Sequence, residues 1–178
     1  MGEGDFAGGR TALSAPAGCH AVSGIELLPA GLVHAELLAG MHAVCFAEPW
    51  SAASMADVLA MTGAQGLIAV GDGDGPPGPA GLVLWRAVLD ESEILTIAVL
   101  PPWRRRGLGE RLLGAAMIAA AEAGASSIFL EAAADNGPAL ALYGRCQFQQ
   151  IGLRKGYYGG IDAVVMRRGL DATAIPTA

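Results

Sequence analysis

Among the residues able to do chemistry, Arg104-Arg105-Arg106-Gly107-Leu108-Gly109 forms the sharpest local pattern. It follows the apolar run Ile97-Ala98-Val99 and opens a stretch with helical periodicity, so it reads as strand, loop, helix start. A helix start leaves backbone N–H groups unpaired and carries the positive end of the helix dipole. Glycines at 107 and 109 remove side chains that would hold phosphate oxygens away from those amides, and the arginines add charge. A pyrophosphate suits such a place; taken alone, so does a plain basic turn that opens a helix. The spacing fits neither common nucleotide motif, because position 112 is leucine and no Gly-Lys-Ser/Thr follows.

Other reactive groups point less sharply. Cys19, Cys45 and Cys146 are widely and irregularly spaced, matching neither a zinc pattern nor a disulfide framework. His34 and His42 stand on one side of a helix, but no third ligand accompanies them, so they read as helix-surface histidines and no metal is expected.

The elements that must position these groups follow from periodicity. Residues 1–20 read as a flexible extension, 21–170 as one domain and 171–178 as a tail. A strand is expected over 21–28, and a helix from Pro29 to Cys45 whose apolar positions are Leu32, Val33, Leu37, Leu38, Met41, Val44 and Cys45. The connection Phe46-Ala47-Glu48-Pro49-Trp50 leads to Ser51, a cap for a second helix. Strands are expected over 67–70, 82–88 and 93–99, with Pro101-Pro102 stopping the last. A helix over 107–124 buries Leu108, Leu112, Leu113, Ala116 and Met117; then come a strand over 128–131 and a helix over 136–146. Two closing strands, 148–154 and 162–167, are separated by Tyr157-Tyr158-Gly159-Gly160. Strands alternating with helices in this order make a single α/β domain.

Arg104-x-x-Gly107-x-Gly109 after Ile97-Ala98-Val99 resembles the acetyl-CoA motif of the GNAT acetyltransferases. Leu130-Glu131, Asn136, Ala141-Leu142-Tyr143, Phe148, Arg154 and Tyr157-Tyr158 follow in that family's order, and Pro49-Trp50-Ser51 resembles a subgroup that acetylates the N-terminal alanine of a small-subunit ribosomal protein. The resemblance spans residues 22–168. It implies a mixed, mostly antiparallel central sheet flanked by helices, with a bulge in the strand ending at Val99 and a split between it and the next strand. It further implies that acetyl-CoA, as cosubstrate, lies in the split, its pantetheine along Ile97, Ala98 and Val99. The diphosphate would rest on Arg105, Arg106, Gly107, Leu108, Gly109 and Glu110, Arg104 of the motif would also bind the cosubstrate, and Asn136 would reach it from the following helix. By the same resemblance Glu131 is the general base and Tyr143 the general acid, with Tyr143 also touching the cosubstrate, and Phe46, Trp50, Tyr157 and Tyr158 wall the acceptor site. Read without it, Glu131 could face solvent and Tyr143 could be core.

Two departures from the family pattern stand out. Ala132-Ala133 replaces Val-Arg after the base, removing a cation beside it, and Gln147 replaces a glycine before Phe148.

The implied chemistry is direct transfer. An α-amine near pKa 7.7–8.0 is about one-tenth neutral at pH 7, whereas a lysine near 10.4 is almost wholly charged. A carboxylate can take the amine's proton, through water if needed, and a phenol can protonate the departing thiolate. Composition adds bounds. Hydrophobic residues make up 53% and charged residues 16%, which suits a folded domain. The apolar run around residues 115–121 falls well short of the roughly twenty residues of a membrane span. The first residues lack the basic start and apolar stretch of a signal peptide, so cytoplasmic residence is expected. Residues 1–93 carry two basic and eleven acidic side chains, and residues 94–178 carry nine and six, so −9 and +3 sum to the net −6. That balance argues against nucleic-acid binding and suits a basic protein acceptor at the acidic half. Acetylation of an N-terminal α-amine on a ribosomal protein is the expected function. The alternatives are transfer to a lysine or small amine, and a silent CoA-binding module.

Overall fold

The structure, a computed structural model, describes residues 24–72 and 75–170. The extension expected over 1–20, the start of the first strand and the tail over 171–178 lie outside the described residues. Seven strands form one sheet in the order β1-β2-β3-β4-β5-β7-β6. They are β1 (Ile25–Pro29), β2 (Ala64–Gly71), β3 (Gly78–Val88), β4 (Glu91–Val99), β5 (Ser127–Ala133), β6 (Gln149–Tyr158) and β7 (Ile161–Gly169). All neighbours pair antiparallel except β4 and β5, which a helical crossover joins in parallel.

Helices α1 (Ala35–Cys45) and α2 (Ala52–Ala60) cover one face of the sheet over β2, β3 and β4. Helices α3 (Leu108–Glu122) and α4 (Gly137–Arg145) lie on the other face, where the larger core forms. The stripe expected in α3 is buried as read, with Ala120 added. Leu108, Leu112 and Leu113 are at most 1% exposed, and each such burial contributes about 1.5–3 kcal/mol. Ser51 caps α2 by accepting the Ser54 N–H.

Three expectations need correcting. Pro29 does not open a helix: it is the last residue of β1, opposite Leu67, and Ala30 N–H continues the pairing by donating to the Gly66 carbonyl. A single turn of 3₁₀ helix over Leu32–His34 then precedes α1. As a result α1 buries a narrower stripe than periodicity implied. Leu38 and Met41 are core, while Leu32, Val33, Leu37 and Val44 are exposed. Tyr157 and Tyr158 belong to β6 rather than to the connection, which shrinks to the turn at Gly159-Gly160.

Gln147, where the family pattern has glycine, adopts φ 62° as the chain leaves α4, and Phe148 N–H closes the helix end on the Tyr143 carbonyl. A side chain in this left-handed region costs roughly 1–2 kcal/mol, partly offset by the greater freedom glycine has when unfolded. Gln147→Gly should therefore raise stability by about 0.5–1 kcal/mol in urea unfolding, and a loss of stability would contradict the strain.

Candidate active site

The site starts from a failure of pairing. β4 and β5 are in register for only three residue pairs, Glu91 with Ser127, Ser92 with Ile128 and Glu93 with Phe129. Beyond them β4 keeps only β3 and β5 keeps only β7, so the two strands diverge. A bulge accompanies the divergence. Leu84 pairs with Thr96 and Trp85 with Ile94, which leaves Leu95 as the extra residue. Leu100 N–H donates to Ala80 across β3, so the alternation of the strand turns the Val99 N–H the other way, into the split.

At the end of β4 the chain turns into α3 through Gly107, whose φ of 81° suits glycine, and no side chain caps the helix. The first amides of α3 therefore face outward with the dipole behind them, as an anion site requires. The arginines divide their work. Arg104 Nε donates to the Val99 carbonyl at 2.9 Å, and its Nη2 lies 3.7 Å from Cys45 Sγ, so this guanidinium is turned to the end of β4. Arg106 lies over the Trp103 ring. Arg105 is exposed. Glu110 pairs with Arg145, tying the first turn of α3 to the last residue of α4. Within that first turn Arg111 has a buried Nε with no hydrogen-bond partner among the described residues, and burial lowers its pKa. Backbone geometry, an orphaned buried donor and net positive charge together fit a diphosphate. Asn136 caps α4 by accepting the Ala139 N–H, which commits its side-chain oxygen.

Glu131 projects from β5 on the face of α1 and α2, opposite the core residues Leu130 and Ala132. It is ion-paired with Arg154 of β6, whose Nη1 stands 3.1 Å from a carboxylate oxygen. The ladder explains the reach: Arg154 lies opposite Ala163, and Ala163 opposite Ala133, so two alanines clear the path. The cation expected to be missing beside Glu131 is thus supplied by Arg154. The guanidinium also lies over the Tyr157 ring, 5.2 Å from its centroid. Tyr143 comes from α4 on the other face and is 6% exposed, its ring beside Phe148.

Glu93 was not singled out by the sequence. It sits on the same face as Glu131, at the last paired position before the split. Its carboxyl is pushed up, first by desolvation and then by the charge of Glu131, with Arg154 and Arg86 opposing. Only the register of two distant strands brings these carboxylates together, so local sequence gives no sign of the pair.

Of the four aromatic residues expected to wall an acceptor site, three have described side chains. Phe46 and Trp50 lie in the α1–α2 connection, both stacked on His42, and Tyr157 stands across the split on β6. The Tyr158 side chain lies outside the described residues. His42 is no surface histidine; it is 3% exposed.

A sheet opened between its parallel pair, a bulged strand and a glycine-led helix start define a GNAT fold. Residues 36–148 match the Acetyltransferase (GNAT) family, and the chain belongs to that family. Among relatives, it is 45% identical over 80 residues to the N-alpha-acetyltransferase RimI of Mycobacterium tuberculosis, covering 44% of this chain and 49% of that protein. It is 35% identical over 91 residues to the [ribosomal protein bS18]-alanine N-acetyltransferase of Escherichia coli, covering 49% and 62%. The chain thus spans less than two thirds of the curated relatives it matches. Among solved structures, the Escherichia coli ribosomal-protein-S18-alanine N-acetyltransferase superposes with a TM-score of 0.74 at 25% identity, over 82% of this chain and 94% of that one. Arabidopsis thaliana NAA60 in complex with acetyl-CoA gives 0.73 at 20% identity over 83% and 99%, a likeness of fold. No helix among the described residues is long and apolar enough to cross a membrane.

Gly107→Ala puts a Cβ where φ is 81°, at a strain of about 1–2 kcal/mol. Calorimetric titration with CoA should show affinity reduced roughly 5- to 30-fold. Wild-type affinity would mean that this helix start does not hold the ligand.

Proposed function

We propose that the protein transfers the acetyl group of acetyl-CoA to the α-amine of a protein N-terminus, the acceptor being an alanine-initiated small-subunit ribosomal protein in the cytoplasm. The observation that carries the reading is the split itself: β4 and β5 part after the pair Glu93 and Phe129, and Glu131 stands on β5 just beyond that point. Support for the acceptor comes from the named activity of the relatives, and from the acidic pair Glu93 and Glu131, which favours a cationic approach.

The thioester would enter between β4 and β5, its pantetheine taking the place of a strand beside Ile97, Ala98 and Val99. The Val99 N–H then meets the carbonyl oxygen and stabilises its negative charge as the amine adds. On the α1 and α2 face the amine's proton passes, through water, to the Glu131 carboxylate, with the neighbouring Glu93 carboxylate drawing the cationic amine in. Arg154 fixes the Glu131 carboxylate in place. From the other face the Tyr143 hydroxyl gives its proton to the departing CoA sulfur. The C–S bond breaks as the amide forms, and no enzyme nucleophile is needed.

With an alanine-initiated peptide, Glu131→Gln should lower kcat/KM by about 100-fold or more while leaving the KM for acetyl-CoA near wild type. Wild-type rates in that variant would remove Glu131 from the proton path, and equal use of an N-terminally blocked peptide bearing lysine would shift the acceptor class. Because the Glu93 carboxyl is raised, the fraction ionised falls as pH drops through that raised value, and the rate with it. Glu93→Gln should remove this inflection from the acid limb of the kcat/KM profile, and an unchanged profile would leave Glu93 outside the chemistry.

A further inference from the structure

His42 is a buried polar side chain whose two nitrogens are both engaged, and the reaction as described makes no use of it. Its Nδ1 accepts the Trp50 backbone N–H at 3.2 Å. That nitrogen therefore carries no proton, and the neutral ring must carry it on Nε2, which donates to Thr96 Oγ1 at 3.3 Å. Trp50 belongs to the α1–α2 connection, and Thr96 follows the bulged Leu95 in β4. The rings of Phe46 and Trp50 lie nearly parallel to the imidazole, at centroid distances of 3.9 and 5.3 Å and interplanar angles of 16°. One side chain thus bonds to the loop on one side and to the opened strand on the other, and it stacks with both aromatic residues of the loop.

We propose that His42 is a positioning residue for the acceptor: in its Nε2–H form it fastens the loop bearing Phe46 and Trp50 to the β4 bulge, setting the acceptor wall at a fixed distance from the split. The acceptor part of this claim rests on the proposed function; the fastening does not. Burial, which lowers the ring's pKa, works in the same direction by keeping Nδ1 free to accept. A histidine kept only for packing would be replaceable by phenylalanine, which preserves the stack and loses both hydrogen bonds. Asparagine reverses that trade, because its Oδ1 can take the place of Nδ1 toward the Trp50 N–H.

The tests use the full chain. In wild type at pH 7.5, imidazole ¹⁵N shifts should report the Nε2–H tautomer for His42, and the Trp50 amide should exchange slowly. His42→Phe should speed Trp50 exchange and raise the peptide KM roughly five- to ten-fold with the acetyl-CoA KM unchanged, and His42→Asn should restore most of both. An Nδ1–H tautomer in wild type overturns the proposal even if no variant folds. So does retained Trp50 protection in His42→Phe, or an equal rise of both KM values. A wild-type protein that acetylates no amine would defeat the proposed function, leaving the fastening to be judged by the tautomer and the amide exchange.

Discussion

Three residue pairs hold β4 to β5, and the rest of the site depends on their being no more than three. Main-chain donors and acceptors on a strand edge need partners, and an edge inside a sheet cannot find them in bulk water as freely as an outer edge can. Where β4 leaves β5, the sheet presents an unfilled strand position whose natural occupant is an extended chain of amide groups. Pantetheine is such a chain. The bulge at Leu95 makes the opening directional, because it turns Leu95 and Thr96 toward α1 while Ile97 and Val99 pack toward α3 and α4. The same crossover that makes β4 and β5 parallel carries α3, so its glycine-led start stands at the open end of the split. In the proposed reaction, holding the diphosphate there and the thioester further in would be one geometric consequence, not two separate features.

Charge is arranged around the opening with similar economy. Glu131 is held by a guanidinium from a strand two positions away, across a row made passable by Ala133 and Ala163. Half-exposed ion pairs of this kind add little to stability, so the value of the pair lies in orientation. Glu93, one register step toward the closed end, has its proton affinity raised by burial and by Glu131. In the proposed reaction, two carboxylates with different surroundings on one face would give an approaching ammonium both an attractive field and a place to leave its proton.

Much of the framework was legible in the sequence because local rules decide it. The α3 stripe, the Ser51 cap and the stop at Pro101-Pro102 all stand where periodicity and capping chemistry put them. The split and the bulge were expected from the resemblance and are present. Pro29 misled because a proline suits a strand end as well as a helix start, and only the pairing with β2 decides between them. His42 misled because helical spacing says which residues share a side, not which side is covered. Arg154 as the partner of Glu131, and Glu93 as its neighbour, depend on register between strands far apart in the chain. No local pattern encodes such contacts. Ala133 did carry a sign, since a missing arginine beside a carboxylate invites a replacement, but the ladder alone shows where it comes from.

The split is the proposed seat of the cosubstrate. Backbone amide shifts recorded during titration of the isotopically labelled protein with CoA address that directly. The largest changes should fall on Ile97, Ala98 and Val99 and on Leu108, Gly109 and Glu110, with the outer edge of β6 and the exposed face of α1 unmoved. Changes concentrated on β6 or α1, with those six amides unaffected, would contradict it.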